Sequence, residues 1–153
     1  MNVIFGIILL VLCIYLGRKL SEKFVNKRKF FDDFISFNNC VKNEISFGQA
    51  SLVKIINSQE NKGDFYDCSS LYIRENKFVF NKNYINDREK EFYKNYLESV
   101  GRHDKKTQLE YLTFVGGELD KMLFESKENE KKYKVLYIKL GVLFGIMALI
   151  IML

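Results

Sequence analysis

Residues 104–153 read DKKTQLEYLTFVGGELDKMLFESKENEKKYKVLYIKLGVLFGIMALIIML. The stretch opens as an amphipathic helix in which Leu109, Leu112, Val115, Leu119, Met122, Leu123 and Ser126 recur every three or four residues. Beyond Phe124 that seam gives way to ESKENEKKYK, a nearly all-polar run that reads as a solvated helical stalk. The last segment is apolar on every side, so one continuous helix leaves a soluble core and enters a bilayer. The chain reads as a membrane-held, all-α module.

The other end matches. Residues 1–17, MNVIFGIILLVLCIYLG, carry no charge and fall at the short end of what spans a bilayer. A secretory signal would place its positive charges before the apolar region and a small-residue cleavage site after it. Here Arg18, Lys19, Lys23, Lys27, Arg28 and Lys29 come after it, opposed only by Glu22, which fits an uncleaved anchor. Lys131, Lys132, Lys134 and Lys139 precede or enter the second apolar segment. Basic residues on the inner flanks of both segments place the middle of the chain in the cytoplasm and both termini outside. The final span is short: residues 140–153 give about 21 Å of helix against a hydrocarbon core of about 30 Å. Counting residues 135–138 and letting Lys139 snorkel completes a crossing, the alternative being a tail that inserts without spanning.

All 24 Lys and Arg and all 19 Asp and Glu lie between Arg18 and Lys139, so the net charge of +5 belongs to the middle of the chain. Its concentration at membrane edges, without interleaved stacking aromatics, argues against nucleic-acid binding. Roughly 120 residues separate the two apolar ends, enough for one modest core. Cys13, Cys40 and Cys68 have no C-x-x-C spacing, and His103 is the sole histidine, so neither a zinc site nor a disulfide framework is supported.

Within the middle part, Phe24, Phe31, Phe34, Ile35, Val41 and Ile45 recur at helical spacing across residues 20–47, with Phe24, Phe31, Val41 and Ile45 sharing one stripe. No Pro or Gly separates Arg18 from Phe47, so this helix continues from the first apolar segment. Phe30 and Phe37 fall off the stripe, facing either a second helix of the bundle or a partner. Gly48 is a plausible helix end, ASLVKIINS at 50–58 a short returning helix, and QENKGD at 59–64 a polar turn. Residues 65–71 and 72–80 read two ways: IRENKFVFNKNYI at 73–85 has the aromatic and β-branched content of a strand but nothing nearby to pair with, so the stretch is read as a short helix and a loop. DREKEFYKNYLESV at 87–100 carries a capping residue and an acidic first turn, with Phe92, Tyr96, Leu97 and Val100 on one side. It stops at Gly101, and Asp104 caps the last helix. Gly116 and Gly117 interrupt that helix's pattern, marking either a close crossing or a kink.

No catalytic site presents itself. There is no Gly-rich loop followed by Lys and Ser or Thr, so the chain does not hydrolyse nucleotide by itself. His103 reads as a turn residue. The acidic pairs Asp32 with Asp33 and Glu89 with Glu91 do not share a helix face as paired acid and base groups must. Tyr93, Tyr96, Tyr111, Tyr133 and Tyr137 read as packing, with Tyr137 suited to a membrane boundary. No cofactor is implied.

The residues IYLGRKLSEKF, NEISFGQASL, GRHDKKTQ and the tail ENEKKYKVLYIKLGVLFGIMALIIML, in this order and spacing, resemble the stage III sporulation protein AB family. That family has an E-I-x-[YF]-G-x-x-P-L-like turn, a G-x-S-D-[RK]-x-x-Q-like helix start and an N-E-K-x-Y-x-x-L-G-x-L-x-G-like tail. The chain departs from the pattern in lacking the Pro, in carrying His103 where the family has Ser, and in the Gly116–Gly117 pair. The resemblance implies a soluble part similar to the type II secretion F domain, an all-α bundle of about six helices, with N- and C-terminal transmembrane helices. The expected divisions are 1–19, an N-terminal transmembrane anchor; 20–126, a cytoplasmic helical bundle; 127–134, the charged stalk; and 135–153, a C-terminal transmembrane helix.

It further implies a noncatalytic scaffold of the mother-cell stage III A complex, in the mother-cell membrane around the forespore, that docks a secretion-type ATPase, stage III protein AA, beside other stage III A membrane proteins. Carried over by position, Asp104 and Gln108 are capping or partner-interface residues, and Arg18, Lys19, Lys23, Lys134 and Lys139 flank the membrane. Two other readings compete: an F-type inner-membrane component of a pilus or type II secretion system, and a membrane-bound enzyme with an unrecognised site.

Overall fold

The computed structural model describes residues 2–47 and 63–152, and every regular element among them is a helix. α1 spans Asn2–Phe47, α2 Asp64–Glu75, α3 Asp87–Ser99 and α4 Lys105–Met152. The all-α class read from the sequence is the one observed, with four helices among the described residues. The Gly48 cap, the helix expected at 50–58 and most of the turn after it lie outside those residues. Gly116 and Gly117 leave α4 unbroken. The helices are shared between two compact units: Met1–Arg28 with Glu125–Leu153, and Lys29–Phe124.

The Lys29–Phe124 unit is built on aromatic rings. Phe30, Phe31, Phe34, Phe37 and Val41 of α1 are buried with Phe65, Tyr66 and Cys68 of α2, Tyr93, Tyr96 and Leu97 of α3, and Leu112, Val115 and Leu119 of α4. Each such ring or aliphatic side chain taken from water contributes about 1.5–3 kcal/mol. Phe34 stacks on Phe65 at 5.0 Å and meets Tyr96 edge-on at 4.7 Å, while Phe30 meets Tyr93 and Phe80 edge-on at 5.2 Å each. These are the offset and T-shaped arrangements that ring quadrupoles favour.

Phe30 and Phe37, which the stripe reading set aside, are therefore central to the core. They face the other helices of the bundle, because α1 is covered on more than one side and its apolar arc is wider than a single seam. Phe24, assigned to the same stripe, belongs to the other unit, where it stacks on Tyr133 with ring centroids 4.7 Å apart.

Local signals fix the helix ends. α3 begins with a capping box: Asn86 Oδ1 accepts from the Glu89 N–H at 2.8 Å, and Glu89 Oε2 accepts from the Asn86 N–H at 3.0 Å. The cap is thus Asn86, one residue before the acidic first turn. α2 ends on Asn76 in the left-handed region at φ 50°, its N–H donating to Tyr72 O. Between them, residues 77–86 form no regular element. Phe80 and Ile85 plug into the core, Cys68 Sγ donates to Val79 O at 3.3 Å, and Lys82 pairs with Asp64 at 2.9 Å. The Tyr84 hydroxyl donates to the same carboxylate. Partial burial works against the Asp64 anion, but hydrogen bonds from Tyr84 and Lys82 and the Lys82 charge prevail and hold its pKa below the ordinary 3.8. With no strand to pair with, this segment is anchored by side chains.

Two polar features lie inside this core. Tyr93 donates to Phe65 O at 2.9 Å and lies 2.6 Å from Ser69 Oγ. Asn38 Nδ2 donates to Leu112 O at 3.0 Å, with Gly116 beside it: a Cβ there would sit 3.4 Å from that nitrogen. A Cβ at Gly116 would thus just touch this α1 side chain, whereas one at Gly117 would meet nothing within 4 Å.

Candidate functional site

In the unit formed by Met1–Arg28 and Glu125–Leu153, the apolar ends of α1 and α4 run antiparallel in close contact. A Cβ added at Gly17 would lie 2.6 Å from the Tyr137 carbonyl oxygen, one at Gly141 2.7 Å from the Cys13 carbonyl oxygen, and one at Gly145 3.1 Å from Leu10 Cα. At Gly17 and Gly141 only glycine lets the two backbones approach this far, and at Gly145 any side chain would push Leu10 aside. Gly141 and Gly145 form a G-V-L-F-G, the small-x-x-x-small spacing that packs helices where lipid removes the hydrophobic driving force. That spacing is the one sign in the sequence of a contact face on the second apolar end.

Much of the remaining surface of the two apolar ends is apolar: Phe5, Val11 and Tyr15 on α1 and Leu143, Phe144 and Ile150 on α4 are each more than half exposed. Among the described residues one helix, α4, is long and apolar enough to cross a membrane, and only 11% of its most apolar window is buried inside the protein.

Aromatic and charged side chains gather where the apolar surface ends. Phe24 stacks on Tyr133 and lies 6.1 Å from the Tyr137 ring, and Lys23 Nζ sits 4.9 Å from the Phe24 centroid and 5.9 Å from that of Tyr137. Arg28 Nε pairs with Glu130, whose side chain is only 16% exposed, and Lys134 approaches the same carboxylate at 3.9 Å. The charged segment 127–134 keeps most of its lysines exposed, while Glu130 and Tyr133 face α1. Of the flanking cations expected from the sequence, Arg18 and Lys139 are exposed and Lys19 lies 3.7 Å from Glu22, while Lys23 joins the aromatic rings and Lys134 the Glu130 carboxylate. The Arg28–Glu130 pair had no signal in the sequence, since it joins residues 102 positions apart.

Asp104 and Gln108 sit elsewhere, at the turn between α3 and α4 in the Lys29–Phe124 unit. Asp104 Oδ2 accepts from the Thr107 N–H at 3.2 Å; a hydrogen bond with the Thr107 side chain, and then this one from its backbone, hold the Asp104 carboxyl below the ordinary 3.8. Gln108 is buried, and its Oε1 accepts from the N–H of Gly101, which has φ 81°. Both residues therefore tie the turn to the first turn of α4. His103 is exposed beside Tyr111, with ring centroids 6.2 Å apart. Among the described residues no group of three His, Cys, Asp or Glu side chains could hold a metal ion, and all three cysteines are free.

No curated protein and no solved structure matches the chain. The family model of stage III sporulation protein AB matches residues 60–153, taking in α2, α3 and α4 with the glycine pair of the apolar end. With more than half its length matched, the chain belongs to the stage III sporulation protein AB family.

Proposed function

We propose that this protein is a noncatalytic membrane scaffold of the mother-cell stage III complex. The ends of α1 and α4 cross the membrane as an antiparallel pair, and the Lys29–Phe124 unit stands in the cytoplasm as a dock for the secretion-type ATPase, stage III protein AA. The observation that carries this reading is the glycine-mediated contact of two apolar helix ends, with lysines and arginines on the inner flank of each. Family membership supplies the sporulation role.

The type II secretion F-like bundle is part of this reading: an aromatic-cored helical unit with no nucleotide-binding motif suits a partner of an ATPase better than an ATPase. The other stage III membrane proteins meet the two spans. The family match favours sporulation over a pilus or general secretion assembly. The test is genetic: a strain lacking the protein stalls in spore development after engulfment, and the full chain restores it. Normal spores from the deletion strain defeat the proposal.

A further inference from the structure

We propose that the groove in which Arg28 and Glu130 meet is a binding site for the phosphate of an anionic phospholipid headgroup. The inference rests on the reading of the apolar ends as membrane spans and assigns one lipid-specific site to them.

The groove, about 380 Å³, is lined by Arg28, Lys127, Glu130, Lys131, Lys134 and Val135. Four of these residues are cationic and one is a carboxylate, which is engaged by Arg28 and approached by Lys134. Glu130 therefore fixes the guanidinium in place and leaves a net positive pocket. Lys131 has no partner among the described residues, and the Lys134 side chain is half exposed. Cationic pockets beside spanning helices on the cytoplasmic side are the sites that take anionic headgroups.

Depth and shape agree. Val135 begins the apolar run of α4, and at 1.5 Å per residue Lys131 stands about 6 Å before it, at the outer edge of a headgroup layer of about 6 Å, while Lys127 stands about 12 Å before it, about a lysine side chain's length outside that layer. The Phe24–Tyr133–Tyr137 aromatics lie at the same level, as an interfacial belt does. On the membrane side the groove opens onto exposed Val135 and Leu136, so one amphiphile can place its phosphate among the lysines and its acyl chains along α4. A soluble anion would use the first half of that surface only.

The test uses the full chain in phosphatidylcholine nanodiscs doped with phosphatidylglycerol or cardiolipin, with retained lipid counted by native mass spectrometry after release into detergent. Alkaline extraction of membranes first establishes insertion; a chain extracted at high pH overturns the spans and the lipid site together. The inserted wild type is expected to retain anionic lipid over phosphatidylcholine. Lys131→Gln with Lys134→Gln, both exposed and compatible with folding, is expected to lower that affinity about thirtyfold. Lys19→Gln with Lys23→Gln, which removes the same charge outside the groove, is expected to lose at most a few-fold. Equal losses from the two pairs overturn the site in favour of diffuse charge attraction. Glycerol phosphate or inorganic phosphate binding as tightly as the lipid also overturns it, because a free anion would then suffice.

Discussion

Gly17 of α1 lies directly against the main chain of Tyr137 of α4: a Cβ there would come within 2.6 Å of the Tyr137 carbonyl oxygen. With Gly141 on Cys13 and Gly145 on Leu10, this contact sets the register of two antiparallel helices whose outer surfaces are apolar. Neither backbone can yield without the pair separating.

Gly17→Val and Gly141→Val therefore each weaken the pair by about 1–3 kcal/mol or more, because the new side chain meets backbone with no room to move. Cross-linking between cysteines placed on the two apolar ends in nanodiscs reads the loss. Gly117→Ala is the contrasting case. Its Cβ meets nothing within 4 Å, so the change is expected to stabilise α4 by up to about 1 kcal/mol and to raise the Tm.

Tyr93 and Tyr96 are both buried on α3 and differ in their hydroxyls. Tyr93→Phe removes the hydroxyl that donates to Phe65 O and pairs with Ser69, a cost of about 1–3 kcal/mol in thermal or denaturant unfolding. The Tyr96 hydroxyl has no partner among the described residues, so Tyr96→Phe is expected to be neutral or slightly stabilising.

Stability falls in alkali. Burial pushes the Cys68 thiol and the Tyr93 and Tyr96 phenols above their ordinary values; burial and the Asp64 carboxylate do the same to Tyr84. As pH rises through the unfolded values near 8.5 and 10, the unfolded chain releases protons that the folded chain retains, and the equilibrium shifts toward unfolding. The contribution of these groups is thus fully present below about pH 8 and declines above it. Denaturation of the full chain in detergent at stepped pH should show that decline, and Tyr93→Phe should flatten it.

Topology gives another test. In cells, a cysteine placed at the exposed Lys121 of a cysteine-free variant should react with a membrane-impermeant maleimide only after permeabilisation. Labelling of intact cells would reverse the orientation.

The helices were legible wherever one face is buried and the other wet. The seam of α4 from Leu109 to Leu123 and the stop at Gly101 follow from period and turn chemistry, and the structure has both. Phe30 and Phe37 fall off the single stripe because α1 is buried over a wide arc, and of the two faces the sequence leaves open to them, a second helix or a partner, the structure has the helices of the bundle. The pinning of residues 77–86 by Asp64, Cys68 and core-seated Phe80 depends on contacts between distant residues, which no local pattern encodes. At the candidate site, the basic flanks and the apolar ends were visible in the sequence. The pairing of Arg28 with Glu130 and the glycine contacts needed the register of two helices separated by most of the chain.

The docking function is tested most directly by flotation of vesicles carrying the full chain with purified stage III protein AA at low salt. The ATPase is expected to rise with these vesicles and to stay behind with protein-free vesicles of the same lipid. An ATPase left at the bottom of the gradient, beside a folded and inserted chain, would contradict it.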